Sequence, residues 1–281
     1  MRMRVLVTGA NGQLGSELRL LASADYLFTD IAELDITDEG AVTEFVERNA
    51  IDTIINCAAY TNVDRAEEEP EVAKRVNTTA VALLARVARR YNARLIHIST
   101  DYVFGGESFD APIKELTPPA PLGVYGRTKL LGERAIEESG CSYVIIRTSW
   151  LYSSFGGNFV KTILRLASER EELRVVNDQI GSPTYARDLA RVVAHVCENG
   201  GLNDGVYHYS NRGEISWYDF AQARVDIGGV ECRIRPCTTV EYGAKAPRPA
   251  YSVLDSSKIC RELGCDIPDW RDSLAECIKM M

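Results

Sequence analysis

The chain has 281 residues, 46% hydrophobic and 26% charged, with a net charge of −8. Such a composition buries a sizeable core and excludes disorder, and without a basic block it excludes nucleic acid as a partner, although backbone N–H groups at a helix start can still hold one pyrophosphate. No apolar stretch reaches the ~20 residues that span a bilayer, and the run after Met-Arg-Met-Arg stops at Thr8-Gly9, so a cytoplasmic protein without membrane association is expected.

Through the first half, short β-branched runs alternate with helical periodicity, the pattern of a parallel sheet with crossover helices. Arg4 to Thr8, Tyr26 to Thr29, Thr53 to Asn56, Arg94 to Ser99 and Tyr143 to Arg147 read as strands, separated by helices near 13–22, 38–49, 70–91 and 124–139. Beyond Trp150 the spacing predicts a helix over 158–168, a strand over 173–176, a helix over 186–198 and a strand over 206–208. Short helices near 217–227, 255–263 and 270–280 follow. The expected fold class is α/β: a Rossmann-type doubly wound parallel sheet over about residues 1–150, and a smaller, mainly substrate-binding part over 151–281. Later segments are expected to return to the sheet.

The first strand runs into Gly9, Gly12 and Gly15, spaced by three at the opening of a helix. Gly9 permits the turn, Gly12 lets the backbone approach a pyrophosphate, and Gly15 allows close helix–sheet packing. Asn11, Gln13 and Leu14 then present the helix start to the anion. Asp30 ends the second strand about twenty residues on, where a carboxylate accepts from ribose hydroxyls. The segment Tyr26 to Gly40 holds no Lys or Arg, so on local charge NADH is favoured over NADPH, unless an arginine arrives from elsewhere. Asp35 and Ile36 read either as a bracket for adenine or as the turn before a helix starting at Asp38.

Tyr125 and Lys129 stand at i and i+4 at the start of a predicted helix and share one face. A nearby ammonium favours phenolate and brings the phenol toward the working range of an acid. Upstream, the fourth strand ends in Ser99-Thr100-Asp101, at the strand end where such sheets bind ligands, and Thr100 can donate to the same carbonyl oxygen. Small residues, Cys57-Ala58-Ala59-Tyr60-Thr61, end the third strand, where bulk would block a cofactor.

Together the glycine loop, Asn56-Cys57-Ala58-Ala59-Tyr60-Thr61, Ser99-Thr100-Asp101-Tyr102-Val103-Phe104-Gly105-Gly106, Tyr125 to Glu133 and Arg147-Thr148-Ser149-Trp150 resemble the extended short-chain dehydrogenases, and within them the dTDP-4-dehydrorhamnose reductase family. The likeness extends to Asp178-Gln179, Gly181, Pro183-Thr184 and Arg248-Pro249. It implies reduction of the C4 ketone of a nucleotide-sugar, dTDP-4-dehydro-L-rhamnose, with NADH or NADPH. Thr100, Tyr125 and Lys129 become the catalytic set by resemblance, Asp101, Val103 and Trp150 the sugar pocket, and Asn11 to Leu14, Ala58, Ala59, Tyr60, Thr61, Tyr125 and Lys129 the cofactor site. Gly105 and Gly123 depart from residues common in the family, Asp or Asn at the first and a polar residue at the second. Some members form a homodimer around magnesium held by acidic residues, which Glu17 alone does not establish here. An epimerase or dehydratase of the same superfamily uses the same Tyr and Lys. A non-catalytic dinucleotide-binding subunit, like that of methionine adenosyltransferase, would not need them.

The remaining candidates read as structural. His97, His195 and His208 fall where hydride transfer needs none, no metal is required, and Glu67-Glu68-Glu69 reads as a solvated face. Trp150 either stacks on a sugar or fills the hinge between the two parts, and the resemblance points to the sugar. Arg248 either pairs a diphosphate or caps a loop. Eight cysteines without a secretory signal read as reduced thiols rather than zinc ligands, including the pairs Cys232/Cys237 and Cys260/Cys265.

Overall fold

Alternation along the first strand sets the architecture: Val5 and Val7 face one side of a sheet and Leu6 the other, and all three are fully buried. The computed structural model describes residues 3–22 and 25–281. Met1 and Arg2, part of the run weighed as a leader, lie outside them. The strands are β1 (Val5–Thr8), β2 (Tyr26–Thr29), β3 (Thr53–Asn56), β4 (Arg94–Thr100), β5 (Ser142–Thr148) and β6 (Gly205–His208). They pair in parallel in the order β6-β5-β4-β3-β1-β2. The order reverses between β1 and β3, so a crevice opens over the carboxyl ends of those two strands.

Helices α1 (Gln13–Leu21) and α8 (Ala186–Asn199) cover the Val5/Val7 face through Leu14, Leu18, Leu189 and Val193. The Leu6 face is covered by α2 (Glu39–Asn49), α5 (Ala80–Tyr91) and α6 (Val124–Ser139), with Val42, Leu84 and Ile136 in that core. The helix expected over 70–91 is interrupted. It consists of α4 (Pro70–Lys74), a π-helical turn at Arg75–Thr79, and α5. A short α3 (Val63–Glu68), not anticipated, precedes it. Two later segments join the sheet: β6 extends it beside β5, and α8 packs on α1.

A second set of cores lies beyond Trp150. In one, α7 (Phe159–Glu169) and α9 (Trp217–Gly228) meet the C-terminal helix Trp270–Lys279 around Val160, Phe220 and Leu274. Beside it, Glu172–Val176 pairs in parallel with Arg233–Cys237. Among the described residues no helix is long and apolar enough to cross a membrane.

Candidate active site

The glycine loop does what its spacing requires. Gly9 has φ +65°, and a Cβ there would sit 2.6 Å from Ala58 N; a Cβ on Gly15 would sit 2.6 Å from Ala10 Cα. Gly12 differs, since its Cβ would meet only its own turn, 3.2 Å from Gly9 O. Gly12 is also the N-cap of α1, with no side-chain cap and no acidic residue in the first turn. The helix therefore presents uncapped N–H groups at the strand-order reversal, a cradle that fits a dinucleotide pyrophosphate.

Two clefts meet at this loop. A cleft of about 490 Å³ is lined by Asn11, Asp30, Asp35, Ile36, Ala58 and Tyr60, and by Arg75. Asp30 Oδ2 accepts from Asn11 N at 2.8 Å, which ties the acid to the glycine loop. Thr37 N and Oγ1 bind Asp35 Oδ1 at 2.9 and 2.8 Å and, with a smaller attraction from Arg75, hold that carboxyl below the usual range. Asp35 thus both lines the cleft and builds the turn before Asp38, which caps α2. Arg75 is the arginine that local reading between Tyr26 and Gly40 did not contain. The side chain of Asn77, in the same π turn, binds Tyr60 N at 2.8 Å and Tyr60 O at 3.0 Å, holding the Ala58–Thr61 loop.

The larger cleft, about 520 Å³, is lined by Gly9, Gly12, Gln13, Leu14, Gly15, Ala59, Thr61, Thr100, Asp101, Tyr125, Lys129 and Trp150. Thr100 Oγ1 donates to Asp101 Oδ1 at 3.1 Å, and the Thr100 hydroxyl also bonds the Tyr125 phenol. Burial raises the Asp101 carboxyl to about 6 against the opposing hydrogen bonds of Ser252 and Thr100. Burial also raises Tyr125, to about 12, and lowers Lys129 to about 8. An ammonium that gives up its proton near 8 is neutral before a phenol near 12 ionises. Desolvation is the main cause of both shifts, opposed at Tyr125 by the Thr100 hydroxyl and at Lys129 by Glu133 and Cys57, so the lowering of the phenol expected from its neighbouring ammonium is not seen.

Three further candidates take the following places. Val103 is fully buried in a small core with Phe104, Ile113, Leu130 and Leu254, so it does not line the cleft. Trp150 takes φ +46°, and its ring stacks on Trp217 with centroids 3.6 Å apart. Its other neighbour is Gly181, where a Cβ would lie 2.6 Å from the indole. The ring thus fills the hinge and offers an edge, rather than a free face, to the cleft. Arg248 caps its own loop through Ala246 O and binds Asp64 Oδ2 at 2.8 Å; its side chain lines a separate apolar pocket of about 260 Å³ with Phe159, Ile163, Leu166, Val175 and Trp217.

The acidic run Glu67-Glu68-Glu69 is also more than a solvated face. Glu67 Oε1 accepts from Val124 N at 2.7 Å and so caps the helix that carries Tyr125 and Lys129. A Cβ on Gly123 would fall 2.6 Å from that oxygen, so a larger residue here would have to displace the Glu67 carboxylate. Gly105, at φ +125°, lies against Pro249 and Leu122. Glu17 is fully buried, bound by Arg187 Nε at 2.9 Å and Ser153 Oγ at 2.6 Å. Among the described residues no cluster of three or more metal-ligating side chains is formed.

The family model described as the RmlD substrate binding domain matches residues 3–281. The chain belongs to this family. It is 44% identical to the spore coat polysaccharide biosynthesis protein SpsK of Bacillus subtilis, over 97% of this chain and 96% of that one. With the dTDP-4-dehydrorhamnose reductase of Burkholderia thailandensis it shares 40% identity over 99% and 98% of the two chains. The crystal structure of a dTDP-4-dehydrorhamnose reductase from Bacillus anthracis in complex with NADP superposes with a TM-score of 0.95, at 40% identity and full coverage of both chains. As a member of this family the protein is an NAD(P)H-dependent oxidoreductase.

Proposed function

We propose that the protein reduces the C4 ketone of dTDP-4-dehydro-L-rhamnose to dTDP-L-rhamnose. One observation carries this reading: the glycine cradle, Thr100, Tyr125 and Lys129 line a single cleft. When bound, the dinucleotide supplies hydride to the carbonyl carbon. The backbone of Gly12 to Leu14 would hold its pyrophosphate, Asp30 a ribose, and Asp35 and Ile36 the adenine. Arg75 would pair a 2′-phosphate, so both NADH and NADPH are accepted and the preference for NADH argued from local charge is dropped; the relative crystallised with NADP supports this.

Tyr125 Oη gives its proton to the C4 oxygen while Thr100 Oγ1 donates to the same atom, trading its bond to Asp101 for one to the carbonyl. A phenol near 12 is a poor acid at rest, and the two hydroxyl donors offset this by stabilising the negative charge that develops on oxygen. Lys129 returns a proton to the phenolate. The sugar would lie against Thr100, Asp101 and the edge of Trp150. The nucleoside would occupy the pocket across Trp217, with Arg248 exchanging Asp64 for a phosphate. Residues 151–281, except those that rejoin the sheet, would form the substrate lobe.

The test is oxidation of NADH and of NADPH by the purified protein on the 4-keto sugar nucleotide, compared with Tyr125→Phe. The reading requires turnover with the native chain, and a drop of at least 100-fold in kcat with dinucleotide binding retained in the variant. Native turnover in Tyr125→Phe refutes the assignment.

A further inference from the structure

His97 lies inside β4, fully buried, and its ring joins a chain of hydrogen bonds that ends on Lys129. The polarity of that chain can be deduced. Ala58 N–H is an unambiguous donor and points at Asn56 Oδ1, 3.1 Å away; Thr8 Oγ1 approaches the same oxygen at 2.7 Å. The Asn56 amide is thereby oriented, because the flipped amide would set NH₂ against N–H. Its Nδ2 then donates to His97 Nδ1 at 3.0 Å. An NH₂ group can only donate, so Nδ1 carries no proton, and a neutral imidazole must carry it on Nε2. Nε2 stands 3.2 Å from Lys129 Nζ, whose other partner is Ile98 O at 2.7 Å. An N–H facing an ammonium sets donor against donor. Facing a neutral amine, it is a hydrogen bond to the nitrogen lone pair.

We propose that His97, its tautomer set by Asn56, is a positioning residue that favours the neutral-amine form of Lys129, so that this lysine gives up its proton readily. In turnover the phenol O–H bond breaks as the alcohol O–H forms, then an ammonium N–H breaks as the phenol O–H reforms. The amine left behind accepts from His97 Nε2–H until water reprotonates it. Burial acts in the same direction on both members of the pair, lowering Lys129 to about 8 and keeping His97 neutral. The titratable groups around the pair are Cys57 at the end of β3 and, on α6, Tyr125 and Glu133, the last bound to Arg147 of β5 and to Ser99 of β4. A buried thiol pushed up to about 12 adds no charge near neutrality, so of these Glu133 alone opposes deprotonation.

The role in turnover rests on the proposed reductase reading; the protonation states do not. Protein labelled with ¹³C at lysine Cε is titrated by NMR without cofactor, and the signal missing from Lys129→Met is followed. Burial alone predicts that His97→Leu leaves the midpoint in place or lowers it. Loss of the Nε2–H donor predicts a rise of about one unit, tenfold in the equilibrium, with the matching limb of the kcat pH profile moving alongside. In native protein the ¹⁵N shifts of His97 report which nitrogen bears the proton, and this requires no variant. A proton on Nδ1, or a midpoint that does not rise in a folded His97→Leu, overturns the proposal. A Lys129 titration unmoved in His97→Leu, with kcat lost in Tyr125→Phe, refutes this inference and spares the reductase reading; native turnover in Tyr125→Phe does the reverse.

Discussion

Glu133→Gln tests whether the strand end that presents Thr100 is held by charge. Glu133 and Arg147 are 2% and 5% exposed, joined through Nε at 3.0 Å and Nη2 at 2.7 Å, and Ser99 Oγ donates to the same carboxylate. Removing the charge leaves a buried guanidinium beside the face of Phe104, 5.1 Å away, and His208 Nε2 at 3.4 Å, with Glu137 further along α6 as a remaining carboxylate. Breaking a buried pair in this way costs about 3–5 kcal/mol. For 281 residues, an unfolding entropy of about 2.1 cal/mol/K per residue makes each degree worth ~0.6 kcal/mol, so the melting midpoint falls by about 5–8 °C. Urea unfolding followed by circular dichroism gives the free energy directly. A charge-free pair, Glu133→Leu with Arg147→Met, should recover most of the loss, since buried ion pairs add little over well-packed apolar residues. A Glu133→Gln loss below about 1 kcal/mol, or a double variant as weak as the single, refutes the reasoning.

Gly15→Ala should lower the melting midpoint and abolish dinucleotide binding, because its Cβ meets backbone at 2.6 Å; Gly12→Ala should keep the fold while weakening dinucleotide binding at least tenfold, both read by melting curves and cofactor fluorescence. Arg75→Ala should raise KM for NADPH about tenfold and leave KM for NADH nearly unchanged in steady-state assays. His208 is held neutral by burial, its value lowered to about 3 from 6.5. The unfolded chain therefore takes up a proton that the folded chain refuses, and stability present above pH 6.5 is lost as pH falls, by about 2 kcal/mol at pH 5. Asp101, raised to about 6, runs the other way between about 4 and 6. The slope should thus be isolated by comparing urea midpoints of His208→Gln with the native chain, the variant losing less between pH 7.5 and 5.

The sheet was legible because a buried parallel strand requires short β-branched runs, and each expected strand lies within two residues of its observed ends. The glycine loop was legible because steric demand leaves no other residue at Gly9 and Gly15. Arg75 was not. It reaches the cofactor cleft from a π turn, whose extra residue shifts the phase of the helical face at a point that the residues themselves do not mark. Val103 was misread because family likeness marks a segment, whereas burial is decided residue by residue: Thr100 and Asp101 face the cleft, and a 3₁₀ turn at Asp101–Val103 sends the next apolar side chain inward.

Glu67, Asn77 and His97 show why the supporting groups escaped sequence reading. Each contacts backbone or a side chain of the site from a distant part of the chain: Glu67 to Val124, Asn77 to Tyr60, His97 to Lys129. His97 read as a satisfied structural residue and is one, Glu67 read as part of a solvated face and instead caps α6, and nothing in the sequence singled out Asn77. The structural role is also the functional one, because a cap on α6 and a tautomer fixed inside β4 set where Tyr125 stands and when Lys129 holds its proton. It follows that substitutions at these positions should separate stability from rate less cleanly than substitutions at Tyr125. Glu67→Ala should cost about 1 kcal/mol for the lost cap; if α6 then frays at its first turn, kcat falls further than that loss accounts for, whereas a loss of stability at unchanged kcat would show the cap to be remote from the chemistry.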